Sequence, residues 1–306
     1  MNRKLFLLLT VLFLLVACAP AVSPNSSPRS LTVTDGLGRE VTLSVPAQRV
    51  VSLTPATTEI LFAVGAGSQV IGRDMFSDYP PEAQSLEDIG GSWGEYNQEA
   101  IVALQPDLVI AGEINPPELV ASLEGLGLTV YYLANPATLE GMYTNLETIA
   151  LLTGHEADTG ELIDSLKDRV AAVDENIAPL SYAPTVYYEL DATDPTKPYT
   201  AGPGGFVDLL IARAGGINIG SSLQGQWAEI GLEQLIVNDP AIIILGDSLY
   251  GETPEKVSAR LGWEVLSAVQ NGTIYPFDDN LVARPGPRLV DGLEALAKIL
   301  HPDVFK

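Results

Sequence analysis

The chain predicts an α/β protein of two α/β lobes with mostly parallel sheets, joined by a single long bridging helix. Three observations predict this. Strands and helices alternate along most of the sequence, an apolar stripe at helical spacing runs from Leu162 to Ile177, and one loop, helix and strand unit occurs twice, 134 residues apart. Alternation of this kind favours parallel strands with helices on both faces.

Taken in order, Asn2, Arg3 and Lys4 precede an apolar run from Leu5 to Ala17 that only Thr10 interrupts. A basic start followed by a short apolar run is the pattern of a secretory signal. As a helix the run rises only about 20 Å, against a hydrocarbon core of about 30 Å. Residues 1–17 are therefore expected to be removed. Cys18 is the single cysteine, so no intrachain disulfide can form. Residues 18–30, with Pro20, Pro24, Pro28 and four serines, read as a flexible tether.

Leu31 to Val45 alternates around Asp35-Gly36 as a β-hairpin does, and Arg49 to Thr54 reads as a buried strand. Ile60, Leu61 and Val64 mark a short helix closed by Gly65 and Gly67, and Val70-Ile71 starts the next strand. Leu108 to Ala111 and Thr129 to Leu133 are further strands, separated by the helical spacing of Leu119, Leu123 and Leu126. Residues 31–152 form the expected first lobe. In 153–180, Thr153 and Glu156 are spaced as a capping box, and Leu162, Ile163, Leu166, Val170, Val173 and Ile177 share one helical face. A helix of about 35 Å is long for one small lobe, so it reads as a bridge, although a surface helix of a single domain has the same pattern. In residues 181–306, Thr185 to Glu189, Ala241 to Leu245 and Ile274 to Phe277 read as strands. Phe206 to Ala214, Leu232 to Val237 and Leu289 to Leu300 read as helices.

The repeat aligns Gly91, Trp93, Glu95, Glu99 and Pro106 with Gly225, Trp227, Glu229, Glu233 and Pro240, without a gap. A β-run and an acid, Glu113 or Asp247, follow each copy. Two lobes built on one unit account for this. The tryptophans precede their helices, where ligand-facing loops gather in open parallel sheets. Two indoles could clamp a large flat apolar ligand, or each could anchor its own helix to the core. Glu99 and Glu233 suit the positive end of a helix dipole, and as outward carboxylates they also suit pairing with arginines of a partner.

The formal charge of −23, or −25 without Arg3 and Lys4, repels phosphate-rich partners and argues against nucleic acid. At 46% hydrophobic and 18% charged residues the body has the composition of a globular core-former. Gly246-Asp-Ser-Leu249 echoes the serine esterases named for that tetrapeptide, but neither His155 nor His301 lies three residues after an aspartate to supply the base. Those two histidines, read as surface residues at helix ends, are too few for a His-rich zinc site. Gly65-Ala-Gly67 lacks the third glycine of a dinucleotide fingerprint. The chain is not expected to be an enzyme.

Arg49-Val-Val-Ser-Leu-Thr-Pro-Ala-Thr-Thr-Glu59, Phe76-Ser-Asp-Tyr-Pro-Pro81, Trp93 with Asn97-x-Glu99, and Ala103-Leu-x-Pro-Asp-Leu-Val109 together resemble the periplasmic cobalamin-binding and iron-chelate-binding proteins of ABC importers. The resemblance runs from Leu31 to the C-terminus and is closest to the cobalamin-binding branch. Leu15-Val-Ala-Cys18 likewise resembles a bacterial lipobox, which implies acylation of Cys18 and an anchor at the outer face of a membrane. The family implies two lobes on a long helix, little hinge closure, a ligand in the shallow cleft, and a monomer serving permease and ATPase subunits. It implies that Glu99 and Glu233 dock into arginine pockets of the permease. It places Phe76, Trp93, Trp227 and Arg284 at the ligand, with Tyr79 from the Ser-Asp-Tyr-Pro-Pro motif. Tyr187 and Tyr188, and Gly202-Pro-Gly-Gly205, add candidate contacts; strand alternation turns one of the two tyrosines inward, and Tyr188 is taken as the ligand-facing one. No resident cofactor is implied, since any cobalt or iron belongs to the ligand: cobalamin, another corrinoid, haem or a ferric siderophore. Gly112 stands where the family carries an aromatic, and Asn280 where it often carries an acid.

Overall fold

The computed structural model describes residues 30–92 and 94–305. The expectations for the signal, for Cys18 and for Trp93 lie outside the described residues.

The chain enters through a hairpin of β1 (Leu31–Thr34) and β2 (Glu40–Leu43), paired antiparallel. The turn is held by Asp35, whose carboxylate accepts the backbone N–H groups of Leu37 and Arg39 at 3.0 Å. Buried strand β3 (Val50–Ser52) runs into α1 (Pro55–Ala63), capped by Thr54, whose hydroxyl accepts the Thr57 N–H at 3.2 Å. Proline at N1 loses no hydrogen bond there. Then come β4 (Val70–Arg73), β5 (Glu87–Asp88), and a short antiparallel pair, β6 (Gly90–Ser92) with β7 (Glu95–Tyr96). The lobe ends with α2 (Gln98–Ala103), β8 (Leu108–Gly112), α3 (Pro117–Gly125), β9 (Val130–Leu133) and α4 (Leu139–Thr153). Its five-stranded sheet has the order β5-β4-β3-β8-β9 and is parallel throughout.

Helix α5 (Glu156–Ile177) follows after a single sharp turn at Gly154, which sits in the left-handed region at φ 80°. The expected capping box is not made. Thr153 belongs to the end of α4, and its hydroxyl donates back to the Ile149 carbonyl at 2.7 Å, while His155 precedes the first turn of α5. Helix α4 itself was not anticipated. It lies beside α5, which also packs against the last helix of the chain.

The second lobe contains β10 (Thr185–Asp191), β11 (Tyr199–Ala201), α6 (Phe206–Arg213), β12 (Ile217–Asn218), β13 (Trp227–Glu229), α7 (Leu232–Asn238) and β14 (Ile242–Leu245). It closes with α8 (Pro254–Ser258), α9 (Ser267–Asn271), β15 (Ile274–Pro276), α10 (Asn280–Ala283) and α11 (Leu289–Leu300). Its sheet order is β13-β11-β10-β14-β15 with β12 beside β10; β10, β12, β14 and β15 are parallel, and β11 and β13 form an antiparallel edge.

One apolar core runs through both lobes. Val50, Leu108 and Leu146 join Ile163, Leu166, Val170 and Val173 of α5 and Val186, Leu293 and Leu296 beyond it. The opposite face of each sheet has its own smaller core, around Val51 and Val109 in one lobe and Ile243 and Trp263 in the other. Arg169 adds ion pairs from α5 to Asp291 and Glu294 of α11, and Arg213 of α6 pairs with Asp174 of α5.

The repeat extends to backbone geometry. Gly91 and Gly225 both have positive φ, 109° and 84°, and the non-glycine residues Gln105 and Asp239, also 134 apart, sit at φ 49° and 39°. Each precedes the proline that opens the next strand. Left-handed backbone is unfavourable for L-residues, so its recurrence at equivalent positions marks one unit used twice.

Candidate ligand cleft

The carboxyl ends of both sheets face each other, the position where open parallel sheets place their ligands. A cavity of about 150 Å³ opens there between the lobes. Asn135, just beyond β9, is its first-lobe wall, and Leu190, Phe206, Gln226, Trp227 and Asp279 belong to the second lobe. Among the described residues no lysine or arginine lines it.

Trp227 begins β13 and pairs with Ala201 of β11, which leaves its indole 66% exposed at the mouth of the cavity. It does not anchor its helix to the core. Gly202 and Gly205 line the wall behind it. The reason for Gly202 differs from the expected one: a Cβ there would lie 1.9 Å from the Gly225 carbonyl oxygen, and the Gly202 N–H donates to the Gln226 carbonyl at 2.9 Å. The close approach is between two strands of the cleft wall.

Phe76 and Tyr79 sit on the loop after β4 and are exposed. Asp74, buried at its base, fixes the loop by accepting the Phe76 N–H at 2.9 Å and the Ser77 hydroxyl. Burial raises the Asp74 carboxyl above its ordinary value, against the opposing pull of those hydrogen bonds.

The expected ligand arginine has other partners. Arg284 of the second lobe donates to Glu59 of α1 at 3.0 Å and to Asp78 at 2.6 Å. Arg288 grips the same Glu59 through two bonds of 2.8 and 2.5 Å and stacks over the Tyr79 ring at 4.0 Å. Glu59 is almost fully buried. Two guanidinium groups and two carboxylates thus neutralise one another across the lobe boundary, beside the cavity residues Ala283 and Pro285. Glu59 closes a motif quoted from the sequence, yet its pairing with Arg288 spans 229 residues and no local signal announces it.

Tyr188 is a correction. Both Tyr187 and Tyr188 are fully buried, because β10 is a central strand covered on both faces. Tyr188 lies edge-on to Phe277, and its hydroxyl donates to Asp279 at 2.7 Å; Tyr187 lies edge-on to Trp263. Alternation here separates two cores, not core from solvent. His301 is likewise buried, with its ring nitrogen 3.3 Å from the Gly215 carbonyl. At Gly112, where the resembled family carries an aromatic, a Cβ would meet Thr54 at 2.9 Å, so the space is already filled.

Glu99 and Glu233 both lie in the first turns of α2 and α7 and are exposed. The Ser248 hydroxyl donates to the Phe277 carbonyl at 2.8 Å, which orients it toward backbone.

Two lobes on one helix, with a cleft at facing strand ends, define an α/β solute-binding protein. Residues 50–281 match the family model described as periplasmic binding protein, and the chain belongs to that family. An uncharacterised ABC transporter substrate-binding lipoprotein of Bacillus subtilis is 28% identical over 90% of this chain and 87% of its own. The crystal structure of the periplasmic vitamin B12 binding protein of Vibrio cholerae matches with a TM-score of 0.71 and 27% identity, covering 84% of this chain and 98% of that one. The apo periplasmic heme-binding protein of Roseiflexus sp. RS-1 matches with a TM-score of 0.75 and 27% identity, covering 85% of this chain and all of the other. The relatives are transport proteins, and the chain is a solute-binding protein of the ABC-importer class.

Proposed function

We propose that this protein is an extracytoplasmic lipoprotein that binds cobalamin or a related corrinoid in the interlobe cleft and delivers it to an ABC permease. The observation that carries the choice of ligand is the charge of the cleft. Arg284 is committed to Glu59 and Asp78 and Arg288 to Glu59, and among the described residues the cavity wall offers amide, aromatic and apolar groups with Asp279 as its one charged residue. A ligand with carboxylate or catecholate groups would be desolvated there without a cation to pair with, at a cost of several kcal/mol. The large flat ring of a corrinoid, fringed with neutral amides, meets no such penalty at this wall. Trp227, and Phe76 on the facing loop, supply aromatic surface for its ring.

In this reading Cys18 carries the lipid, Glu99 and Glu233 dock onto the permease, and Trp93 joins Trp227 among the ligand-binding residues. A heme or ferric siderophore is the second reading, favoured by the likeness to the Roseiflexus protein. Titration of the full chain with cyanocobalamin by calorimetry tests the proposal. Saturable binding is expected, weakened roughly tenfold or more in Trp227→Ala, the loss typical of a buried aromatic anchor. Cobalamin binding that ignores Trp227 would contradict the site, and no binding at all would contradict the ligand.

A further inference from the structure

A second cavity, about 400 Å³, opens at the carboxyl ends of β10 and β14. It shares Leu190 with the interlobe cavity and is lined by Asp191, Asp247, Glu252, Tyr250 and the backbone around Ala192 and Thr193. Among the described residues three acids line it and no basic residue does. The nearby guanidinium of Arg260 is already held, bidentate, by buried Glu189 at 2.6 and 2.7 Å and by Glu252 at 2.9 Å. Lys256 is engaged by the Gly251 carbonyl at 2.6 Å.

Asp247 is the unusual member. It is 5% exposed, yet its Oδ1 has no hydrogen-bond partner among the described residues. Its counterpart in the repeat, Glu113, is exposed and accepts the Asn135 N–H at 2.8 Å. The first-lobe copy is therefore satisfied and the second-lobe copy is not. A buried carboxyl oxygen without a donor is destabilised, and a ligand that brings an N–H to this carboxyl relieves it.

We propose that this cavity is a binding site for a primary organic ammonium group, with Asp247 as its principal partner. An ammonium supplies the missing donor and the missing positive charge together. Asp191 adds attraction, and the exposed ring of Tyr250, 88% accessible, offers a face for cation–π contact. A bare metal ion suits the site less, since among the described residues no three acids or histidines are placed to share one. Burial and the neighbouring Glu189 and Glu252 carboxylates raise Asp247 to about 7, opposed by Arg260, and a bound cation would pull it down again. The site stands apart from the corrinoid reading, for it needs nothing in the interlobe cleft.

The test is a calorimetric titration of the full chain at pH 8 with n-butylammonium chloride, with n-butanol as the neutral isostere. Saturable binding of the amine, none of the alcohol, and a loss of roughly tenfold or more in Asp247→Asn are expected, about 1.4 kcal/mol for one decade. Equal binding of alcohol and amine, no binding of the amine, or full affinity in Asp247→Asn would each overturn the proposal. Carbon-13 NMR of aspartate-labelled wild-type chain gives a readout that needs no variant. The amine must lower the midpoint of the Asp247 titration, and an unmoved midpoint also overturns the proposal.

Discussion

Two buried acids carry opposite consequences at the scale of single residues. Glu59 holds Arg284 and Arg288 together, so Glu59→Ala would strand half-buried Arg288 at the lobe boundary and leave Arg284 with Asp78 alone. Breaking such a cluster costs about 3–5 kcal/mol, and urea unfolding of the variant should show a loss of that order. Asp247 works the other way. Its folded value of about 7 lies far above the ordinary 3.8, so between these values the folded chain holds a proton that the unfolded chain has released. Its contribution to stability is full at pH values below the ordinary one and is lost as pH rises through about 7. Urea midpoints at pH 5 and pH 8 should differ in that direction, and Asp247→Asn should flatten the difference. None of this was legible from the sequence. Motif and repeat select Glu59 and Asp247 for notice, but burial and partnership arise only when segments up to 229 residues apart are brought together.

At the scale of elements, periodic signals were readable and short pairings were not. The strands and helices of the repeat, and the apolar face of α5, fall where hydrophobic spacing places them. Helix α4 carries the same signal in Leu139, Met142, Tyr143, Leu146, Ile149 and Ala150, all on one buried face. It escaped because Thr153 and Glu156, on either side of the break at Gly154, imitate a helix start. Strands β5, β7 and β12 are two residues each and exist through their neighbours, beyond the reach of local pattern. The left-handed turns of the repeat make a clean prediction. Gln105 lies at φ 49°, so Gln105→Gly should stabilise the chain by up to about 1 kcal/mol in thermal unfolding, as strain is relieved at a cost in unfolded-state entropy. An unchanged or lower midpoint would show that the turn is not strained. Asp239 is a poor partner experiment, because its carboxylate also accepts the Ser267 N–H and hydroxyl at 2.7 and 2.6 Å.

For the whole molecule, one core running through α5 and one ion cluster across the lobe boundary tie the lobes to a common frame. Closure in the manner of a hinge would have to break both. Backbone displacement on ligand binding should therefore stay at about 1 Å or less, and X-ray scattering of the free and loaded chain should give superimposable curves. The same geometry leaves Glu99 and Glu233 exposed on separate lobes, and the proposed reading has both dock onto the permease. Glu99→Ala and Glu233→Ala should abolish uptake while ligand affinity holds; a fall in affinity would move them from docking into the cleft. The two-lobe plan was legible because one unit is written twice. The ligand site was less so, since the resemblance places Arg284 at the ligand, and in the fold it is spent on Glu59 and Asp78.

The most direct measurement is a paired calorimetric titration of one preparation with cyanocobalamin and with heme, at the same ionic strength. A cleft whose arginines are neutralised should bind the neutral corrinoid at least about tenfold more tightly than the dicarboxylate. Tighter binding of heme would contradict the account, for it would require Arg284 and Arg288 to leave Glu59 for the ligand.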